Sequence, residues 1–147
     1  MELSVKDIIG VYPLLDAAST TKMSGKAQVK LVKIVRKLKG IVSPYEGYVK
    51  DAAEKLKGEN HDEYSKKLNE WKEQGADCKL TKEERNQVLE YFNEYNSKLD
   101  ESLKDEFEKQ HEVDFDKLTE DEFEQLLESN KWNVNQIITI EDLIKTA

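Results

Sequence analysis

An unbroken heptad pattern of apolar residues is the feature that most limits how this chain can fold. Successive members of the pattern lie four or three residues apart, at positions 27, 31, 34, 38, 41, 45, 48 and 52. Four more apolar residues widen the face: Val35, Val42, Val49 and Leu56. This face is broader than the seam of a two-stranded coiled coil. The spacing therefore predicts a long helix packed in a bundle, about 45 Å long if it continues to Leu56.

Gly40 and Pro44 fall inside this pattern. Ser43 to Glu46 has the form of a capping box with proline at the first helical position, so a new helix could begin there. The alternative is one long helix that is kinked at Pro44. We favour the single kinked helix because the apolar pattern keeps its phase across the proline.

Glycines and capping motifs predict the helices that follow. Gly58 ends the long helix, and a shorter helix begins near Asn60 and stops at Gly75. Later helices are expected to begin at three capping motifs, whose first residues are Thr81, Thr119 and Asn133. The helix after Thr81 is long, because its apolar stripe runs from Val88 to Phe107.

The first ten residues fit two structures. Leu3 and Val5 alternate with polar residues, as in a short strand, whereas Ser4 to Asp7 has the S-x-x-D form of a helix start. We predict a short extended segment here, followed by a helix over Val11 to Ala18. A second alternating stretch, Val113 to Phe115, could pair with Leu3 to Val5.

These patterns together predict a single domain over residues 1–147 that is mainly α. We expect a helical bundle with two long antiparallel helices and a minor two-stranded β pairing. Charged residues make up 37% of the chain, against a typical value of about 25%. The helices must therefore have wide solvated faces and share a narrow core, and self-association would bury more apolar surface.

The charge of this acidic chain is unevenly distributed. The net charge is −8, yet residues 1–50 carry +5 and residues 51–147 carry −13. The stretch from Lys22 to Lys39 holds seven basic residues and no acidic one. The candidate partner-binding residues are Lys22, Lys26, Lys30, Lys33, Arg36 and Lys37, with Trp132 as an aromatic anchor in a connector.

Two kinds of partner fit this basic helix. The uneven charge favours an acidic surface of another protein or of a second subunit. Binding of nucleic acid by Lys22–Lys39 is the alternative, since lysines at helical spacing could contact phosphates. The acidic remainder of the chain opposes that alternative, because its field repels polyanions.

The sequence predicts no catalytic residues, cofactor or metal. Cys78, His61 and His111 are too few to form a zinc site unless carboxylates converge on them. A calcium loop read from Asp114 has Gln125 at the twelfth position, where glutamate is required. We expect a non-enzymatic protein that lacks a signal peptide and a membrane span and therefore works in the cytoplasm.

The stretch KMSGKAQVKLVKIVRKL from Lys22 to Leu38 resembles the start of the long helix in a family of small uncharacterised proteins of tailed phages and prophages. The C-terminal layout is similar too, with an alternating segment at Val113, an acidic helix and a closing helix over Asn133 to Ile144. The resemblance implies a phage or prophage setting, hence a host cytoplasm, and a structural, assembly or host-interaction role. It carries no functional residues to this chain. The leading hypothesis is an interaction or assembly protein that docks through a helix face.

Overall fold

The computed structural model describes residues 1–147, most of which lie in six α-helices. The helices are α1 (Val5–Asp16), α2 (Gly25–Leu56), α3 (His61–Gln74), α4 (Lys82–Glu108), α5 (Glu120–Ser129) and α6 (Val134–Ile144). Two strands, β1 (Glu2–Ser4) and β2 (Gln110–Glu112), form an antiparallel sheet. The predicted mainly helical fold with a minor β pairing is confirmed.

The chain forms two compact units. The first comprises residues 1–46 and 106–147, and the second comprises residues 47–105. Aliphatic side chains of α1, α2, α5 and α6 make up the core of the first unit, where the most deeply buried members include Ile8, Ile34, Leu38, Leu126 and Ile140. Burial of such a side chain stabilises the fold by roughly 1.5–3 kcal/mol, so this core holds the four helices together.

Helix α1 begins earlier than predicted, and the helix expected over Val11 to Ala18 is wrong in its first residue. The Ser4 hydroxyl accepts a hydrogen bond from the amide of Asp7 at 3.1 Å, and the Asp7 carboxylate accepts one from the amide of Ser4 at 3.3 Å. These reciprocal bonds satisfy two amides that would otherwise lack partners. The S-x-x-D motif therefore starts a helix at Val5 and limits the extended segment to Glu2–Ser4.

The predicted stretch at Leu3 supplies β1, but the stretch predicted as its partner, Val113 to Phe115, forms no strand, because β2 ends just before it at Glu112. Leu3 lies opposite His111, not opposite a residue of the stretch from Val113 to Phe115. The amide of Val113 donates to the carbonyl of Met1 at 2.9 Å and ends the ladder. Val113 is buried in the core of the first unit, so its side chain serves packing while the residues before it pair with β1.

Helix α2 is continuous through Gly40 and Pro44, as predicted. Its buried residues follow the heptad pattern from Ala27 to Leu38 and then include Val42, which belongs to the widened face. Beyond that point the pattern is only partly covered, and Tyr48 is 40% exposed. Although α2 has 32 residues, neither it nor any other helix combines the length and apolar character needed to cross a membrane.

In the second unit, the end of α2 packs antiparallel to α4, as predicted for the two long helices. The Tyr48 hydroxyl donates to the carbonyl of Ser102 at 3.3 Å, and the Tyr95 hydroxyl donates to the carbonyl of Ala53 at 2.9 Å. Contacts thus move towards the start of α4 as they move towards the end of α2. Aromatic side chains of α3 and α4 pack against one another in this unit: His61 contacts Tyr95, and Tyr64 stacks on Tyr91.

The predicted capping residues lie where the later helices begin. Thr81, Thr119 and Asn133 each accept a hydrogen bond from the amide three residues ahead. Asn60 precedes α3, but its side chain makes no capping bond. At the other end of α3, Gly75 has a φ of +56° and its amide donates to the carbonyl of Trp71, which explains why the helix stops at a glycine.

Candidate interaction surface on the basic helix

The core-facing side of α2 fixes where its cations point. Ala27, Leu31, Ile34 and Leu38 are buried at helical spacing, so residues on the opposite side of the helix face solvent. The Ser24 hydroxyl caps α2 by accepting from the amide of Ala27 at 3.2 Å. This bond fixes the first turn of α2 and, with it, the backbone positions from which the basic side chains extend.

The first two predicted cations lie at the beginning of this surface. Lys22 precedes α2 and is exposed, and its amide donates to the Ser129 hydroxyl at 2.8 Å. Lys26 lies in the first turn of α2 and is also exposed. Both side chains are available to a partner.

The other four cations line one groove. Lys30, Lys33, Arg36 and Lys37 form its α2 side, and residues 114–116 of the segment between β2 and α5 form the other. The groove encloses about 440 Å³, within the range of roughly 300–1,000 Å³ that is usual for ligand sites. The structure therefore brings four of the predicted residues together around a single concave surface.

Two aspartates and one aromatic residue complete the groove, and the sequence did not indicate them as part of a site. Asp114 and Asp116 are exposed, whereas Phe115 is half-buried and packs against the core of the first unit. This alternation of polar and apolar residues predicts a strand, but the structure has none over residues 114–116. No local pattern shows that this segment lies beside α2.

Lys30 differs from the other cations because it is paired within the fold. Its Nζ lies 2.7 Å from Oε1 of Glu122, and the two side chains are only 19% and 10% exposed. The hydrogen bond from Lys30, helped by one from the amide of Thr119, lowers the pKa of the Glu122 carboxyl from 4.5 to about 2. Oε2 of Glu122 is buried without a partner. This ion pair fastens α5 to α2.

The remaining cations of the basic helix have no carboxylate within 4 Å in their own unit. The first unit has three ion pairs, and Lys30–Glu122 is the one that involves α2. Lys33, Arg36 and Lys37 are exposed and keep their charges free. Attraction between the basic and acidic parts of the chain therefore neutralises little of this surface through direct contacts.

Two valines interrupt the basic surface. Val29 is 54% exposed and Val32 is 47% exposed. Spacings of three and four residues make them neighbours of Lys33 and Arg36 on the helix. Both valines lie outside the heptad pattern, which is the sequence signal for an apolar residue on the exposed side of the helix.

Trp132 is separate from the groove. It lies in the connector between α5 and α6, is half-buried, and packs against the core of the first unit. This packing indicates a structural role for Trp132 beside the start of α6.

The groups that could support other chemistry are dispersed. Cys78 is buried in the second unit, and His61 of that unit bonds to the Tyr91 hydroxyl through Nδ1 at 2.7 Å. His111 lies in β2 of the first unit. No three His, Cys, Asp or Glu side chains come together in a way that could hold a metal ion.

Comparisons with protein-family models, with curated proteins and with solved structures found no match to this chain.

Proposed function

We propose that this chain is a non-enzymatic interaction protein that binds an acidic surface of a partner protein through the outward side of α2. The observation that carries the proposal is a four-residue cluster, Val29, Val32, Lys33 and Arg36, which we call the α2 patch. It places two exposed apolar side chains beside two cations that have no carboxylate partner in their unit. A patch that combines apolar and basic side chains is complementary to a protein surface that combines apolar and acidic side chains.

The two parts of the α2 patch would contribute differently to binding. Covering the exposed parts of Val29 and Val32 would supply affinity, at about 25 cal/mol for each square ångström of apolar surface removed from water. Lys33 and Arg36 would mainly speed association and select acidic partners. The partner we expect is therefore an amphipathic acidic helix or a similar surface with apolar side chains between its carboxylates.

Nucleic acid is the second candidate, supported by the lysines that follow one side of α2. Two observations make it the weaker one. Asp114 and Asp116 line the groove beside these lysines, and carboxylates repel a phosphate backbone. A phosphate backbone offers no apolar surface that could cover Val29 and Val32, so these side chains would add nothing to its binding.

From the resemblance to phage and prophage proteins we further propose a role in assembly or in contact with a host protein. On that basis the chain would act in the cytoplasm, which is the host cytoplasm if a phage encodes it. A second copy of the chain is also an acidic protein, with a net charge of −8, so self-association would be one form of the same function.

The experiment compares two double variants with matched chemistry. Val29→Ser with Val32→Ser alters the α2 patch, whereas Val134→Ser with Ile138→Ser alters two other exposed apolar residues, which are 71% and 51% exposed on α6. Purified proteins would be used to capture partners from a lysate of the source cells, and bound proteins would be quantified by mass spectrometry. Light scattering of the same variants would measure self-association.

We expect at least one acidic partner, or the dimer, to be lost from the α2 variant and kept by the α6 variant. Added Lys33→Glu and Arg36→Glu substitutions should remove the remaining binding, and raised salt should weaken it. Equal capture by both double variants would contradict the proposal. Binding of wild-type protein to duplex DNA at about 50 mM salt, unaffected by the valine substitutions, would favour the second candidate instead.

A further inference from the structure

We infer that the groove beside α2 binds an extended acidic peptide, which adds as a strand to the backbone of residues 114–117. This inference rests on the proposed function and names a second way in which the same basic helix would hold its partner. The α2 patch would contact a folded surface, whereas the groove would take a single extended segment.

The backbone of residues 114–117 is unpaired between two fixed points. The amide of Val113 donates to the carbonyl of Met1 at 2.9 Å, and the amide of Leu118 donates to the carbonyl of Ile144 at 2.8 Å. Between them, no amide or carbonyl of residues 114–117 bonds to another backbone group. Residues 114–117 therefore follow β2 with free backbone donors and acceptors, which is the feature that strand addition uses.

Spacing and charge define the peptide that would fit. Side chains on one side of an extended strand are about 6.6 Å apart, and Lys33 and Lys37 of α2 are separated by four residues, or about 6 Å along the helix axis. Alternate carboxylates on a peptide could thus meet Lys33, Lys37 and the neighbouring Arg36. The half-buried ring of Phe115 offers an apolar contact in the same groove.

The aspartates of the groove further restrict which ligands could bind there. Asp114 and Asp116 are exposed and line the groove opposite the cations. A polyanion with charge along its whole length, such as single-stranded DNA, would face these carboxylates. A peptide can instead direct its acidic side chains towards α2 and keep uncharged side chains towards the aspartates. The occupant favoured by this arrangement is a peptide with acidic residues at alternate positions.

The test uses a blocked, fluorescently labelled ten-residue peptide in which glutamate alternates with threonine. Binding would be measured by anisotropy at about 50 mM salt, and hydrogen exchange would be followed at the amides of Phe115 and Lys117, which an extended segment directs to the same edge as the amide of Val113. Three control ligands share its length: the same peptide with lysine in place of glutamate, a form with N-methylated backbone amides, and a ten-nucleotide thymidine strand.

We expect the acidic peptide to bind and to slow exchange at both amides. Lys33→Glu with Lys37→Glu should raise the Kd by at least about tenfold, because each charge contact becomes repulsive. N-methylation should weaken binding, since it removes the peptide donors that pair with the edge. Phe115→Ala should weaken binding too, and the N-methylated peptide gives an independent result if that variant unfolds.

The α2 patch variant separates this inference from the proposed function. Val29→Ser with Val32→Ser should leave peptide binding unchanged, because neither valine lines the groove. If N-methylation has no effect and the two amides exchange as before, strand addition is refuted, while partner capture by the α2 patch can still stand. Equal binding of the thymidine strand would refute selection for a peptide.

Discussion

Replacing Lys30 by methionine tests how strongly the one ion pair of the basic helix stabilises the first unit. The lysine lies 2.7 Å from Glu122, whose other carboxylate oxygen is buried without a partner. Methionine keeps most of the aliphatic stem but leaves the carboxylate of Glu122 without its cation. A buried charge that loses its partner is costly, so Lys30→Met should destabilise more than Glu122→Gln, which removes the charge itself.

The pKa of Glu122 sets an upper limit for the size of this effect. The decrease of this pKa from 4.5 to about 2 corresponds to a free energy of about 3 kcal/mol, at about 1.4 kcal/mol for each pKa unit. Because the lysine side chain is still 19% exposed, solvent screens part of the interaction. We therefore expect a coupling free energy of about 1 kcal/mol between the two residues, and a loss of about 2 kcal/mol for Lys30→Met alone.

The same shift predicts how stability depends on pH. The pKa of Glu122 is lower in the folded state than in the unfolded state, so its contribution is fully present above about pH 4.5 and is lost as the pH falls towards 2. Urea unfolding at pH 7 and pH 3 measures this pH dependence. It would be carried out on wild type, on Lys30→Met, on Glu122→Gln and on the double variant. The difference between wild type and Glu122→Gln should shrink by about 1 kcal/mol at the lower pH.

An exposed pair in the second unit serves as the control. Lys98 and Glu94 lie 3.0 Å apart, but their side chains are 60% and 65% exposed, so their coupling should be below about 0.5 kcal/mol. A Lys30–Glu122 coupling as small as that of the control would refute the reasoning. So would an NMR titration that places the pKa of Glu122 near 4.5.

Two further predictions concern the helices of the second unit and can be checked without a ligand. Gly75→Ala should destabilise the protein by about 1 kcal/mol, because the residue has a φ of +56°, whereas Gly47→Ala should stabilise it by about 1 kcal/mol, because a Cβ inside α2 would meet nothing within 4 Å. Urea unfolding measures both changes, and the same sign for the two variants would contradict the backbone explanation. The amides of α3, which has no buried residue, should exchange at least about tenfold faster than those between Leu31 and Leu38 of α2. Equal protection measured by hydrogen exchange would show that the two units unfold as one.

The unpaired cations of the groove can be substituted without disturbing the core of the first unit. Most of the folded core of that unit is aliphatic, so substitutions of Lys33, Arg36 or Lys37 should leave the fold intact. These residues are exposed and make no ion pair in their unit. A loss of binding in such variants can therefore be attributed to the surface itself.

Much of the secondary structure followed from local patterns. The heptad phase predicted that α2 continues through Pro44, and the side chains of Thr81, Thr119 and Asn133 cap the helices that they were expected to start. These predictions succeed because helix periodicity and capping depend on residues within four positions of each other.

The errors occurred where two local patterns competed. At the N-terminus, alternation of Leu3 and Val5 favoured a strand, while Ser4 and Asp7 favoured a helix start. The reciprocal capping bonds, together with the buried positions of Ile8 and Val11 along α1, decide for the helix. The second strand was also predicted too late in the chain, at Val113 to Phe115 instead of Gln110–Glu112, because burial of the Val113 side chain in the core was not visible locally.

The sequence by itself determined the long helix, its buried side, the later caps and the cluster of positive charge between Lys22 and Lys39. Only the tertiary structure decided what that charge faces. It pairs Lys30 with Glu122, leaves Val29 and Val32 uncovered, and places residues 114–116 against the other cations. The physical reason is distance along the chain: periodicity reports which side of a helix is buried, but it carries no information about which segment, nearly eighty residues later, will lie beside the exposed side.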